Sequence, residues 1–274
     1  MDYNLSEDLK RRVANLHIAH SEIEKVWSMF DSTRRHRNLA MVNVDGSQRK
    51  SEMMKKHRHI LLFGKSGTGK SELAMKYAMR ESPIETYYDE ELEADIDIMK
   101  VVYLETPENF GRLEFYQKVS GALGAPRLPG RPDVGEVRDR AINLLKRQKT
   151  EMMILDEIDY LITSNAIGLR PAMEAIKYVT NNAGVSLVCI GSPEAKKLRN
   201  LDLQYFRRFT PVELHRFESC NEDFCGFLQA LEEQMKPIKP IGLGDENSYL
   251  PELLYSACKG IVGILTPIII EAYN

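Results

Sequence analysis

The chain has 274 residues, long enough to bury an extended core without covalent staples. Lys and Arg total 37 against 40 Asp and Glu, for a formal charge of -3 and an ordinary 43% of hydrophobic residues. That balance excludes a tail-driven, globally basic nucleic-acid binder but leaves room for a local basic groove.

The first residues, Met1-Asp2-Tyr3-Asn4, are polar and acidic and carry no secretory signal pattern. An amphipathic helix is predicted around Val13 to Phe30, followed by basic clusters at Arg34-Arg35-His36-Arg37 and Lys55-Lys56-His57-Arg58. The pattern then changes to short apolar runs: Ile60-Leu61-Leu62-Phe63, Val101-Val102-Tyr103-Leu104, Met152-Met153-Ile154-Leu155, Ser186 to Ile190, and a less apolar one from Thr210 to Leu214. Runs without alternation suit strands buried on both faces of a parallel sheet. The acidic stretch Tyr87 to Asp97 reads as a solvated loop. Leu113, Tyr116, Val119 and Leu123 recur at helical spacing until Gly124-Ala125-Pro126, and Val134, Val137, Ala141, Leu144 and Leu145 mark another helix. Past Phe217 three helices are predicted, at 221–235, 249–259 and 261–273. The longest apolar stretch, Gly260 to Ala272, is broken by Thr266 and Pro267 and falls short of the about 20 residues that span a bilayer. Cys189, Cys220, Cys225 and Cys258 form no CxxC, and the histidines complete no zinc spacing, so a reduced intracellular protein is expected. The division expected is a helical and basic extension over 1–58, an α/β core over 59–216, and a helical appendage over 217–274.

Gly64-Lys65-Ser66-Gly67-Thr68-Gly69-Lys70-Ser71 fits GxxxxGK[ST] and lies between a predicted strand and a predicted helix. There the glycines let successive backbone N–H groups cradle phosphate, and the helix adds its positive dipole end. Lys70 is placed to reach the β- and γ-phosphates of ATP and the Ser71 hydroxyl to ligate Mg²⁺. Four apolar residues put Asp156 at the carboxyl end of a core strand, where it can hold the Mg²⁺ shell through water; Glu157 follows as a general base for an attacking water. Another strand ends in Gly191-Ser192. A serine there can face the γ-phosphate, but Ser192-Pro193-Glu194 is also a good helix start. Arg207-Arg208 precedes the last strand, either as a finger aimed at a neighbouring subunit's nucleotide or as a surface basic pair.

Together these residues resemble an AAA+ ATPase, and more specifically the TniB/TnsC family of transposon target-selection ATPases. The specific pieces are Val102-Tyr103-Leu104-Glu105-Thr106-Pro107 with Phe115-Tyr116 and Ala122-Leu123-Gly124-Ala125-Pro126, then Ile154-Leu155-Asp156-Glu157-Ile158, Gly191-Ser192-Pro193-Glu194-Ala195, and Arg208-Phe209 with Pro211 and Glu213-Leu214. The resemblance implies a three-layer αβα domain on a five-stranded parallel sheet with a C-terminal helical lid. It implies ATP and Mg²⁺ as ligands, with Lys70, Ser71, Asp156 and Glu157 in the Walker roles, Ser192 as sensor 1 and Arg208 ahead of Arg207 as arginine finger. It also implies homo-oligomers, rings or helical filaments, assembled by ATP around double-stranded DNA. These recruit a transposase and target-selector proteins in the prokaryotic cytoplasm and come apart on hydrolysis. DNA contacts are expected in the loops after the second core strand, at Asn109, Arg112, Arg127 and Arg131. One departure stands out: Gly260 to Leu265, where many lids carry a sensor-2 arginine, has none. Ile268-Ile269-Ile270 reads as lid core or as a partner-docking face. A helicase loader or insertion-sequence helper shares this core. A P-loop small-molecule kinase and a nucleotide-gated scaffold with little hydrolysis are the readings of other classes.

Overall fold

A computed structural model of the chain describes residues 21–42, 58–163, 167–200, 207–237 and 239–272. The parts of the expected features at 13–20, at Lys55-Lys56-His57 and at 273 lie outside those residues. Contacts divide the protein into two units. The larger comprises Val26–Gly64 and Lys70–Glu213; the smaller joins the segment up to Lys25 and Lys65–Gly69 to the segment from Leu214 onward.

In the larger unit the five apolar runs become five parallel strands. They are β1 (His59–Phe63), β4 (Val101–Glu105), β5 (Met152–Asp156), β6 (Ser186–Gly191) and β7 (Phe209–Glu213). Their order across the sheet is β4-β5-β6-β1-β7. The three central strands β1, β5 and β6 are buried at every position, which is why they read as unbroken apolar runs. Alternate residues then serve opposite faces. Leu61, Phe63, Val102, Leu104, Met153, Leu155, Leu187 and Cys189 join one core. It is filled by α3 (Arg112–Ala122), α4 (Val134–Arg147) and α6 (Leu169–Ala183). Each fully buried Leu, Ile or Phe contributes about 1.5–3 kcal/mol.

Helix α1 (Ser21–Val42) packs on α2 (Lys70–Glu81), with Phe30 edge-on to Tyr77 and the Trp27 indole N–H donating to the Leu73 carbonyl at 3.1 Å. The seam is held by charge as well as packing. Arg34 donates to Tyr77 Oη at 3.2 Å and to Glu151 at 2.8 Å, and it pairs with Glu81, while the Tyr77 hydroxyl donates to Asp31 at 2.6 Å. A four-residue helix α5 (Tyr160–Thr163) follows β5, and a 3₁₀ segment (Pro193–Asn200) follows β6.

The acidic stretch read as a loop is instead an antiparallel hairpin, β2 (Thr86–Asp89) with β3 (Ala94–Asp97). Its inward residues are held from α4 and the turn beyond it. The Tyr87 hydroxyl donates to the Arg147 carbonyl at 2.7 Å, Lys149 sits 3.8 Å from the Tyr87 ring centroid, and Arg147 pairs with Asp89 and Glu91. Carboxylates flank a short Thr-Tyr-Tyr strand signal, and the Arg147 that pairs with Asp89 and Glu91 comes from 58 and 56 residues away in sequence, so local polarity pointed to a loop.

In the smaller unit α7 (Glu222–Met235), α8 (Leu250–Cys258) and α9 (Val262–Ala272) enclose a second core of Phe224, Leu228, Leu231, Met235, Leu254, Leu265 and Ile269. Ile268 and Ile270 are partly buried against it, so the isoleucine run packs with the core of these C-terminal helices. Among the described residues no helix is long and apolar enough to cross a membrane.

Candidate functional site

Register decides which residues meet. In the parallel ladder Phe63 lies beside Gly191, Leu155 beside Cys189, and Glu105 beside Asp156. The tips of β1, β4, β5 and β6 therefore leave the sheet at one carboxyl edge, the place where open α/β sheets bind ligands. Of the sequence-predicted residues in the larger unit, this edge gathers Gly64, Lys70, Asp156, Glu157 and Ser192.

Lys70 opens α2, and its ammonium folds back to donate to the Gly64 carbonyl at 2.9 Å. Ser71 follows it in the first turn of the helix. Burial lowers the Lys70 pKa, opposed by the carboxylates of Asp156, Glu157 and Asp159. Asp156 is buried at 3% exposure. One of its oxygens accepts from the Glu157 backbone N–H at 2.8 Å and the other from the Tyr103 hydroxyl at 2.6 Å. Glu157 leaves the strand with φ +53°, a left-handed conformation costly for a residue with a Cβ and concentrated at functional sites. Its side chain is exposed, and its pKa is raised by burial first and then by the neighbouring charges of Asp156 and Asp159, against the pull of Lys70.

Ser192 is clamped by Asp159. Its N–H donates to Asp159 Oδ2 at 2.6 Å, and its hydroxyl lies 2.8 Å from Asp159 Oδ1 and 2.7 Å from Glu194 Oε2. The same hydroxyl accepts from the Glu194 N–H at 3.2 Å, so it also caps the 3₁₀ segment. The helix-start reading of Ser192 is thus the one these hydrogen bonds show. The preceding Gly191 has no alternative, because a Cβ there would stand 2.7 Å from Asp159 Oδ2 and 2.8 Å from Ile158 and Ala195 side-chain atoms. Thr106, at the tip of β4, is 1% exposed with a hydroxyl that has no hydrogen-bond partner.

The loop Lys65-Ser66-Gly67-Thr68-Gly69 belongs with the C-terminal helices. Gly67 and Gly69 have φ +77° and +88°, accessible to glycine and strained for other residues, and the space a Gly69 Cβ would occupy is open. Thr68 is buried, with its hydroxyl donating to the Lys65 carbonyl at 3.0 Å. The stretch without a lid arginine meets the glycine loop through its backbone. The Gly263 N–H, one of the unsatisfied donors at the start of α9, donates to the Gly67 carbonyl at 2.8 Å. A Cβ on Gly263 would stand 2.9 Å from that oxygen.

Arg207 and Arg208 precede β7; Arg207 is exposed and Arg208 half-buried, its carbonyl accepting from the His59 N–H at 2.9 Å. Asn109, Arg112, Arg127 and Arg131 are all exposed. Arg127 is paired at home, to Glu114 and Gln117 at 2.7 Å each, which returns its loop to the first turn of α3 beside Arg112.

Sequence reasoning missed Tyr103 and Asp159. Asp159 had a signal, a third carboxylate in Asp-Glu-Ile-Asp. Tyr103 had none, since it meets Asp156 diagonally across two parallel strands whose pairing only the fold reveals.

The family model for the bacterial TniB protein matches residues 40–219, spanning β1 to β7. No curated protein matches the chain. Among solved structures, it is similar to the Aeropyrum pernix ORC1 protein in complex with DNA, at 19% identity over 89% of this chain and 59% of that one, with a TM-score of 0.53. The Aeropyrum pernix ORC2 protein in its ADPNP-ADP complexes gives 16% identity, coverage of 94% and 64%, and a TM-score of 0.57. A Walker-type ATPase of Pyrococcus abyssi gives 14%, 88% and 66%, and 0.52. The chain spans 59% to 66% of the lengths of these three. Identities this low speak to the fold, which is the AAA+ P-loop αβα domain with a five-stranded parallel sheet and C-terminal helices. With its family model matched over well more than half of its length, the chain belongs to the bacterial TniB family.

Proposed function

We propose that this protein is an ATP-dependent, DNA-binding regulator of transposition. It oligomerises on double-stranded target DNA as a ring or filament, recruits the transposase at the direction of target-selector proteins, and disassembles on ATP hydrolysis. The ATPase chemistry is assigned to 59–216, a lid role to 217–274 and an accessory role to 1–58, with the protein acting in the cytoplasm on the nucleoid.

The observation that carries the reading is the gathering of Lys70, Asp156, Glu157 and the Asp159-clamped Ser192 at the tips of β1, β5 and β6 within a TniB chain. The residues fit a Mg²⁺-nucleotide. A Cβ on Gly69 would meet only open space, the Lys70 ammonium donates to the Gly64 carbonyl at this edge, and Asp156 presents a buried, anchored carboxylate. Bound Mg²⁺ supplies charge neutralisation to the phosphates. Ser71 and Asp156 hold it, Asp156 through water. Lys70 stabilises charge on the β- and γ-phosphate oxygens, and Glu157 polarises the attacking water and accepts its proton. Ser192, fixed by Asp159, faces the γ-phosphate, and Arg208 reaches the nucleotide of the neighbouring subunit. Asn109, Arg112, Arg127 and Arg131 track DNA phosphates without reading sequence. The DNA-bound ORC1 and the nucleotide-bound ORC2 are proteins of the same fold that have been seen with these ligands. The Asp156-Glu157 pair favours this reading over a small-molecule kinase, which has no use for a water-activating base.

Two variants test it. Glu157→Gln is expected to lower hydrolysis by about 10²-fold or more while retaining ATP and trapping assemblies on duplex DNA. Lys70→Ala should lose ATP binding and, with it, assembly. A Lys70→Ala protein that binds ATP as the wild type does, or a Glu157→Gln protein that turns over normally, contradicts the proposal.

A further inference from the structure

The carboxylate of Asp156 is held at both ends. Its Oδ1 accepts from the backbone N–H of Glu157 at 2.8 Å, and its Oδ2 accepts from the Tyr103 hydroxyl at 2.6 Å. Tyr103 stands on β4 opposite Ile154 in the parallel register, so its phenol reaches two residues along the neighbouring strand to the tip. Ile154 and Asp156 lie two apart on one strand and project from the same face, which is what makes the diagonal reach possible. At 3% exposure Asp156 has little water of its own to hold it. A carboxylate oxygen has two acceptor sites, so each of these bonds leaves one lone pair on its oxygen for another donor.

We propose that Tyr103 is a positioning residue for the Mg²⁺ shell: its hydroxyl fixes the plane of the Asp156 carboxylate so that the remaining lone pairs point to metal-bound water. The inference rests on the reading of Asp156 given above, and it adds a residue on a strand that the Walker motifs do not include. Two features of the structure support a positioning role over a packing one. The contact is short and charge-assisted, the kind of hydrogen bond about twice as strong as a neutral pair. The ring is only half-buried, so the hydroxyl's link to Asp156 is not a by-product of deep core packing. Outer partners of metal-holding carboxylates typically change metal affinity 10–100-fold when removed.

The test is Tyr103→Phe in the full chain, which deletes the hydroxyl and keeps the ring. Affinity for a fluorescent ATP analogue is measured as a function of Mg²⁺ concentration, alongside the same titration of the wild type and of Asp156→Asn. The proposal expects the Mg²⁺ concentration at half-effect to rise about tenfold in Tyr103→Phe, with nucleotide affinity in the presence of chelator unchanged. In the Asp156→Asn background the added Tyr103→Phe change should shift the Mg²⁺ response no further, whereas a general loosening of β4 would add to it. A Tyr103→Phe titration superimposed on the wild type overturns the role of Tyr103 while leaving that of Asp156 standing. An additive shift in the double variant overturns it as well. A wild-type affinity indifferent to Mg²⁺, or an Asp156→Asn titration like the wild type's, overturns the reading of Asp156 and the inference with it.

Discussion

At the scale of single residues, the carboxyl edge of the sheet pushes two proton affinities toward one another. Burial lowers Lys70, and burial together with Asp156 and Asp159 raises Glu157. A water-activating glutamate must be ionised and a phosphate-binding lysine protonated. The acid limb of turnover should therefore lie above the ordinary glutamate value of about 4.3, and the alkaline limb below the ordinary lysine value of about 10.4. Replacing Asp159 with Asn removes a negative neighbour of Glu157, so the acid limb of kcat is expected to move to lower pH. An acid limb that stays in place would show that Glu157 is not the group titrating there. The same substitution weakens the clamp on Ser192, so kcat at the plateau should fall too. Most of this edge was legible in the sequence, because Lys70, Ser71, Asp156 and Glu157 sit at fixed offsets from apolar runs. Two further residues there were less legible. Asp159 clamps Ser192 from 33 residues away, and Tyr103 is 53 residues from the carboxylate it touches.

At the scale of elements, α1 is tied to the larger unit by a cluster that combines packing with ion pairing. Arg34, with a side chain 11% exposed, serves Glu81 on α2 and Glu151 beside β5 at once. Arg80 stacks over Trp27 at 4.4 Å from the ring centroid. Arg34→Ala leaves two carboxylates without their shared cation and is expected to cost about 3 kcal/mol, read from the denaturant midpoint at constant slope. A change below about 0.5 kcal/mol would mean the cluster is ornamental. Although burial opposes it, Arg34 and Arg80 hold the Glu81 pKa below the ordinary range. That part of the stability is intact above the unfolded-state glutamate pKa and fades as pH falls through the folded one. A second element-scale contact joins α9 to the glycine loop through Gly263 and Gly67. Gly263→Ala puts a methyl about 2.9 Å from the Gly67 carbonyl. The strain expected is about 1–2 kcal/mol, seen as a loss of nucleotide affinity of roughly tenfold, while Gly263→Ala with unchanged affinity would exclude a lid contribution through this contact. Strand positions and the helices at 112–122 and 134–147 followed from apolar runs and helical spacing. The β2–β3 hairpin did not, because what neutralises its carboxylates, Arg147, arrives from another element. Nor did the contact between α9 and the glycine loop, since a sequence shows a missing side chain and not a hydrogen bond between two glycines.

At the scale of the whole molecule, a chain with 37 basic and 40 acidic residues has no global attraction for DNA. The exposed arginines after β4 are few, and Arg127 spends its charge on Glu114 and Gln117. A single copy therefore offers little phosphate-binding charge, while copies repeated around a duplex present Arg112 and Arg131 many times over. On the proposed function, DNA binding that depends on assembly would depend in turn on nucleotide, and hydrolysis at Glu157 would act as a timer for release. Family membership and fold support the proposed ATPase part of this account. The assembly part stands on charge arithmetic and on the position of Arg208 ahead of β7. The most direct measurement is electron microscopy of the full chain with ATP and duplex DNA, with each omitted in turn. The account predicts ordered oligomers on DNA when both are present, and their loss when ATP is withheld. A monodisperse monomer under every condition, or DNA binding equally strong without nucleotide, would contradict it.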